Sequence, residues 1–319
     1  IVFAGNIDLS DGAGSISVQD GALQSGGTWV GTIANHSSAS ADITVPLSFT
    51  HVVNATRDAD GLVMHNVGLS DAVNALASAL AANAGFSDLT VWDMDGSQFM
   101  VFEGLTLTDA IAASAPGDAI AMAAGTYNEG VVNIPHGLSI YGPNEDTDYS
   151  EDREAEATIE GTRFSFSNGV DGIFFDGLRF TGGNGGTALF DLSSRTVSNF
   201  AVLNCIIEDV ESNVMFGQGS GVRQGVTFEG TRISGVGDGT GTAPYSALNP
   251  WQCNDVVVAN CLIEDVDYNG VNLETTNGAS ITGTTFRRIG KSGIQIANAS
   301  IGGGTITGNT FERCNRRYH

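Results

Sequence analysis

The residues best suited to chemistry lie in two adjoining stretches of the chain: Asp265 and Asp267 in one, and Arg287, Arg288 and Lys291, the chain's only lysine, in the next. Two carboxylates one residue apart offer oxygen ligands to a hard cation such as Ca2+. Guanidinium and ammonium groups neutralise a carboxylate on a bound molecule, and a base beside them can remove the adjacent proton. Arg287, Arg288 and Lys291 are therefore candidate catalytic residues, and Asp265 and Asp267 are candidate calcium ligands. The same charges also suit a plain salt-bridge ladder, and that alternative stands beside the catalytic one. A second set surrounds the Gly-rich stretch from Gly235 to Tyr245. There Tyr245 and Trp251 offer faces for stacking, and Asn272, Glu274 and Gln295 offer hydrogen bonds.

These residues belong together only if the chain stacks on itself, and its repeats say that it does. One pattern recurs six times: Phe175-Asp-Gly-Leu-Arg-Phe180, Val202-Leu-Asn-Cys-Ile-Ile207, Phe228-Glu-Gly-Thr-Arg-Ile233, Val258-Ala-Asn-Cys-Leu-Ile263, Ile281-Thr-Gly-Thr-Thr-Phe286 and Ile306-Thr-Gly-Asn-Thr-Phe311. A period of roughly 23 to 30 residues is that of a solenoid. A second, alternating pattern follows about ten residues later, as in Val271-Asn-Leu273 and Ile294-Gln-Ile296. Two short strands per repeat define a coil of a parallel β-helix, with Val271, Leu273, Ile294 and Ile296 inward and Asn272 and Gln295 outward. The Gly or Asn at the third place of the first pattern marks a corner in left-handed backbone, so Asn204 and Asn260 are corner residues rather than ligands. In this register Glu264 and Asp265 face Arg287 and Arg288 one coil on.

Residues 1–103 lack the repeat and read as a small β-rich or α+β domain. Ser15-Ile-Ser-Val18 and Thr28-Trp-Val-Gly-Thr-Ile33 read as strands, and Leu89-Thr-Val-Trp92 with Gln98-Phe-Met-Val-Phe102 as a β pair. A helix is expected from Ser70 to Gly85, its apolar face formed by Val73, Leu76, Ala77 and Leu80. Residues 104–319 form the solenoid domain, with no amphipathic cap evident over the last coil. That is the pattern of a processed or shortened chain whose solenoid continues or self-assembles.

The net charge of −23, with 12 of 13 basic residues arginine, excludes a nucleic-acid partner, because phosphate binding needs clustered cations. No apolar run approaches the roughly 20 residues of a membrane helix. Residues 1–152 hold one basic residue, Arg57, whereas the last stretch is basic. High acidity with almost no lysine suits an extracellular or cell-surface protein in salt or abundant calcium. Cys205 and Cys261 hold one position two coils apart, about 9.6 Å at about 4.8 Å per coil, too far for a disulfide. They are expected to be free and inward, and the pairing of Cys253 and Cys314 is left open.

Residues 105–142 carry the clearest resemblance. A short helix is followed by a Pro-Gly-Asp turn, a strand, Ala-Gly-Thr-Tyr-Asn-Glu, a further strand and a closing Ile-Tyr-Gly. This resembles the first coils of the pectin lyase-like right-handed parallel β-helix superfamily, over about two thirds of the chain. The resemblance implies an all-β, right-handed solenoid in which the helix with Ile111 covers the core's end and Gly125 and Gly142 are corners. It also implies a protein that engages extracellular polysaccharide, as a calcium-assisted lyase or epimerase on an acidic glycan. The alternative it implies is a non-enzymatic structural or adhesive surface protein. The Asn-Thr-Asp and Asp-Asp signature of polygalacturonases is absent, and Arg288-Ile-Gly-Lys291 is only loosely similar to their Arg-Ile-Lys. The Asp-Pro-His of uronan epimerases is absent too, with Asn249-Pro-Trp251 the nearest string.

Overall fold

A chain that must turn every few residues without losing its hydrogen bonds needs a corner conformation that costs little, and the repeated Gly or Asn supplies it. The computed structural model describes residues 106–183, 186–221, 223–237, 239, 244–297 and 304–315, together with eight strands among residues 1–101. The chain divides into two compact units, Ile1–Gly125 and Thr126–His319.

In the first unit Thr28–Asn35 pairs antiparallel with Ala41–Ser48 and parallel with Asn6–Asp8. A second group runs from Ile16–Ser17 through Asn54–Asp58, Gly61–His65 and Thr90–Trp92 to Gln98–Val101 and Ala119–Met122. The strands expected near Ser15, Thr28, Leu89 and Gln98 are thus present, and the last two pair antiparallel. The short helix is Leu107–Ala113, which buries Leu107, Ala110 and Ile111. The helix expected from Ser70 to Gly85 lies outside the described residues.

The second unit is a stack of coils, each touching three parallel sheets in turn. The chain crosses sheet I (for example Val197–Leu203, Arg223–Glu229, Cys253–Ala259 and Asn277–Thr282). It then enters sheet II (Ile206–Val210, Arg232–Val236, Leu262–Val266, Thr285–Ile289). Sheet III follows (Asn213–Phe216, Leu248–Asn249, Val271–Glu274, Ile294–Ala297). The repeated patterns stack in register: Phe175, Val202, Phe228, Val258, Ile281 and Ile306 in sheet I, and Phe180, Ile207, Ile233, Ile263, Phe286 and Phe311 in sheet II. Each coil therefore has three strands where two were expected. The pattern bends in its middle, so its first residue ends one sheet and its last begins the next. At the bend Asn204 and Asn260 have φ of 50° and 53°, as corner residues should.

Left-handed residues recur every five positions along each coil. Gly172, Gly177 and Gly182 are followed one coil on by Asn199, Asn204 and Asp209, then by Gly225, Gly230 and Gly235, then by Asp255, Asn260 and Asp265, all with positive φ. Each such residue lets two neighbours face outward together. Inward positions then alternate three and two apart, as in Cys253, Val256, Val258, Cys261, Ile263 and Val266, all buried. Glycine and Asx coils also alternate for a steric reason. The Asn204 Oδ1 atom lies 2.5 Å from where a Cβ on Gly230 would stand, and Asn260 Oδ1 lies 2.6 Å from that of Gly283.

Inside, Phe164, Phe175, Phe180, Phe190 and Phe200 are fully buried, with neighbouring ring centroids 5.1 to 6.2 Å apart. Each buries an area worth about 2 to 3 kcal/mol. Later coils bury mostly Val, Ile and Cys, with Phe228 and Phe286 among them. All four cysteines are free; Cys205 and Cys261 are buried with Thr231 between them, and Thr231 Oγ1 accepts the Cys205 N–H at 3.2 Å. Burial pushes the Cys205, Cys253 and Cys261 thiols up to about 12, so they behave as small hydrophobes. Val271 and Leu273 face the core as expected. Ile296 is 50% exposed because its strand is the last of sheet III among the described residues.

Candidate functional site

Sheet II brings the charged residues together because of its left-handed column. Asp265 (φ 52°) and Arg288 (φ 56°) each sit between inward residues, so Glu264–Asp265 and Arg287–Arg288 face outward as adjacent pairs. The register is the expected one, with Glu264 beside Arg287. Glu264 is nearly inaccessible and accepts from three arginines: Arg232 Nε at 3.2 Å, Arg287 Nε at 2.9 Å and Arg288 Nη2 at 2.7 Å. Arg288 Nε also donates to Asp265 Oδ1 at 2.6 Å. Burial would raise the Glu264 carboxyl, but the hydrogen bonds and charges of Arg287 and Arg232 outweigh it and hold it below the usual carboxylate range. Asp265 is lowered chiefly by its hydrogen bond from Arg288.

The two expected calcium ligands do not act as a pair. Asp265 is engaged by Arg288, while Asp267 Oδ2 accepts the Gly239 N–H at 2.9 Å from the Gly-rich loop. Calcium takes six to eight oxygen ligands, and no group of three or more His, Cys, Asp or Glu side chains able to hold a metal occurs among the described residues.

Lys291 lies at the corner between sheets II and III, apart from the arginines. Its Nζ donates to Tyr268 Oη and to Gln295 Oε1, both at 2.8 Å, and stands 4.4 Å from the Tyr268 ring centroid. Gln295 Oε1 also accepts from Asn269 Nδ2 at 3.1 Å. On sheet III, Asn249, Asn272 and Gln295 form one column across three coils, and Asn272 Nδ2 donates to Asn249 Oδ1 at 3.1 Å. Asn272 is 7% exposed, and its Oδ1 is buried with no hydrogen-bond partner; the same holds for the Oδ1 of fully buried Asn269. Trp251, just after Leu248–Asn249, and Glu274, the last residue of Val271–Glu274, are both half-buried, and the Gln252 N–H donates to the Glu274 carbonyl. The structure thus places Trp251, Asn272, Glu274 and Gln295 along one sheet, with Lys291 at its edge. Tyr245 is half-buried just before Leu248–Asn249.

Several residues of this region escaped the sequence reading. Tyr268, Asn249 and Asn269 are polar members of the corner that only the three-strand coil reveals. Arg223 occupies an inward position between Val197 and Cys253 and is fully buried, donating to the carbonyls of Leu192, Arg195 and Gly219. Its signal was legible in principle, since it lies three residues before Val226 in the inward series. The loop from Pro143 to Glu156 runs along the corner between sheets I and II, where Arg153 Nη1 donates to the carbonyls of Thr147 and Asn204. Nearby, burial and then Asp176 raise the Glu145 carboxyl, and burial raises Asp176.

Stacked coils, three parallel sheets and left-handed corners define the class as a parallel β-helix. The chain belongs to the right-handed β-helix family, whose profile, described as a right handed beta helix region, matches residues 139–317. No curated protein and no solved structure matches the chain. Among the described residues no helix is long and apolar enough to cross a membrane.

Proposed function

We propose that this chain is an extracellular or cell-surface β-helix that binds a polysaccharide along the outward side of sheet III. The observation that carries the reading is the column of side-chain amides Asn249, Asn272 and Gln295 on sheet III, with the Lys291 Nζ donating to Gln295 at its edge. Side-chain amides carry both donors and acceptors, the groups that sugar hydroxyls pair with. Lys291 at the same edge would neutralise a uronate carboxylate, with Trp251 supplying a stacking face and Glu274 accepting hydroxyls.

A lyase or epimerase reading rests on Lys291, with the Tyr268 phenol against it, as the group that would meet the carboxylate or the C5 proton. Arg287 and Arg288 lie on sheet II, each held along one edge by Glu264 or Asp265. Their engagement favours the second reading, in which the solenoid is a non-catalytic structural or adhesive part of a surface.

Calorimetric titration with a panel of uronan and neutral oligosaccharides, with and without added calcium, tests the proposal. Binding to at least one glycan that weakens about tenfold in Asn272→Ala and in Lys291→Ala is the expected result. Absence of binding across the panel would overturn it. Absorbance near 235 nm on the same mixtures reports the unsaturated product of a lyase, and a calcium-dependent rise lost in Lys291→Ala would extend the reading to catalysis.

A further inference from the structure

We infer that the outward face of sheet II around Glu264 is a second binding site, for a single sulfate or carboxylate substituent on a glycan. The first observation is a surplus of cation. Arg232, Arg287 and Arg288 converge on Glu264 and Asp265, three positive charges against two negative. The next coil adds Glu312 beside Arg287 and Arg313 beside Arg288, which cancel each other. This concentration of guanidinium groups stands on a chain of net charge −23.

The second observation is how the guanidiniums are held. Arg232, Arg287 and Arg288 all use Nε and Nη2 toward the carboxylates. The Nη1 amine of each has no protein partner among the described residues, and the three side chains remain 38%, 37% and 32% exposed. A planar fork fixed along one edge by a carboxylate presents its remaining N–H groups outward, the arrangement that receives an oxyanion.

The third observation is where Arg288 sits. The left-handed column reads Gly182, Asp209, Gly235 and Asp265, and Gly is the residue its alternation puts next, yet Arg288 takes that place at φ 56°. Left-handed backbone is uphill for an arginine, and a strained residue of this kind points toward use. At physiological ionic strength the screening length is about 8 Å. The distant carboxylates are then masked for a small substituent but not for a densely charged chain, which is why one anionic group is the fitting ligand.

The glycan as carrier rests on the polysaccharide reading above, and the test separates the two. Sodium sulfate and a sulfated disaccharide would be titrated calorimetrically into the wild type, Arg288→Gly, Arg232→Gln and Lys291→Ala, with thermal melts for each. Arg288→Gly suits the backbone it inherits, which offsets part of the ion pairing it loses, and its melt reports that it folds. Binding of the sulfated disaccharide should fall about tenfold or more in Arg288→Gly and in Arg232→Gln. Wild-type binding in both arginine variants would overturn the site. Loss in Lys291→Ala alone would overturn it while leaving the sheet III reading intact. Sulfate ion binding as tightly as the disaccharide would overturn the glycan as carrier.

Discussion

Glu264 shows how one carboxylate can organise three arginines on a surface. It is nearly inaccessible, and removing its charge leaves three arginines with one carboxylate among them. Glu264→Gln should lower the unfolding free energy by about 3 kcal/mol, read from urea titrations. The pH dependence follows from the directions of the shifts. Glu264 and Asp265 are depressed in the fold, so their contribution is complete above the ordinary carboxylate range of about 4 and is lost as pH falls through their lower folded values. Glu145 and Asp176 are raised, so their protonated forms favour the fold at acid pH, and that contribution fades as pH rises through their folded values. Stability measured below about pH 4 should therefore drop steeply in the wild type and less steeply in Glu264→Gln. Arg223 makes the complementary case inside the core. Arg223→Met keeps the bulk but withdraws the donors from three carbonyls, and should cost about 2 to 3 kcal/mol in the same titration.

At the scale of the coil, the governing feature is the left-handed residue every fifth position and the alternation of Gly with Asx between coils. Gly230→Ala would force a Cβ within 2.5 Å of Asn204 Oδ1 and hold alanine at φ 55°. It should destabilise by about 2 kcal/mol or more, and combining it with Asn204→Gly should recover part of that loss, which a double-mutant cycle reads directly. An additive cycle would mean that backbone strain alone sets the cost. The same feature explains what could be read from the residues. The six repeated patterns gave the register of sheets I and II, because their end residues are the inward ones. The third strand was missed because inward residues run three and two apart, so a search for strict alternation fails on Ile263, Glu264, Asp265 and Val266. The superposition of Glu264 and Asp265 on Arg287 and Arg288 was legible. That Glu264 gathers Arg232 as well was not, since Arg232 belongs to the preceding coil and precedes Ile233 in a different place of the pattern. Asn249 was hidden for a related reason: its strand, Leu248–Asn249, is short and follows the Gly-rich insertion.

Across the whole molecule the charges are divided between local attraction and general repulsion. The paired arginines attract over a few ångströms, whereas 36 acidic residues against 13 basic ones repel across the full length of the chain. Salt acts on the two unequally. The ladder around Glu264 is partly withdrawn from water and its contacts are direct, so screening weakens it little, while repulsion between distant carboxylates is removed once the screening length falls below their separation. Raising salt from about 0.02 M to about 0.5 M shortens that length severalfold. The melting temperature should therefore rise by several degrees over this range at neutral pH, followed by circular dichroism with a singly charged cation as the only variable. A fall would mean that the arginine ladders contribute more than the general repulsion removes. Arg288→Gly distinguishes the origins, because it deletes a local attraction and adds to the net negative charge: its melting temperature should rise more with salt than that of the wild type.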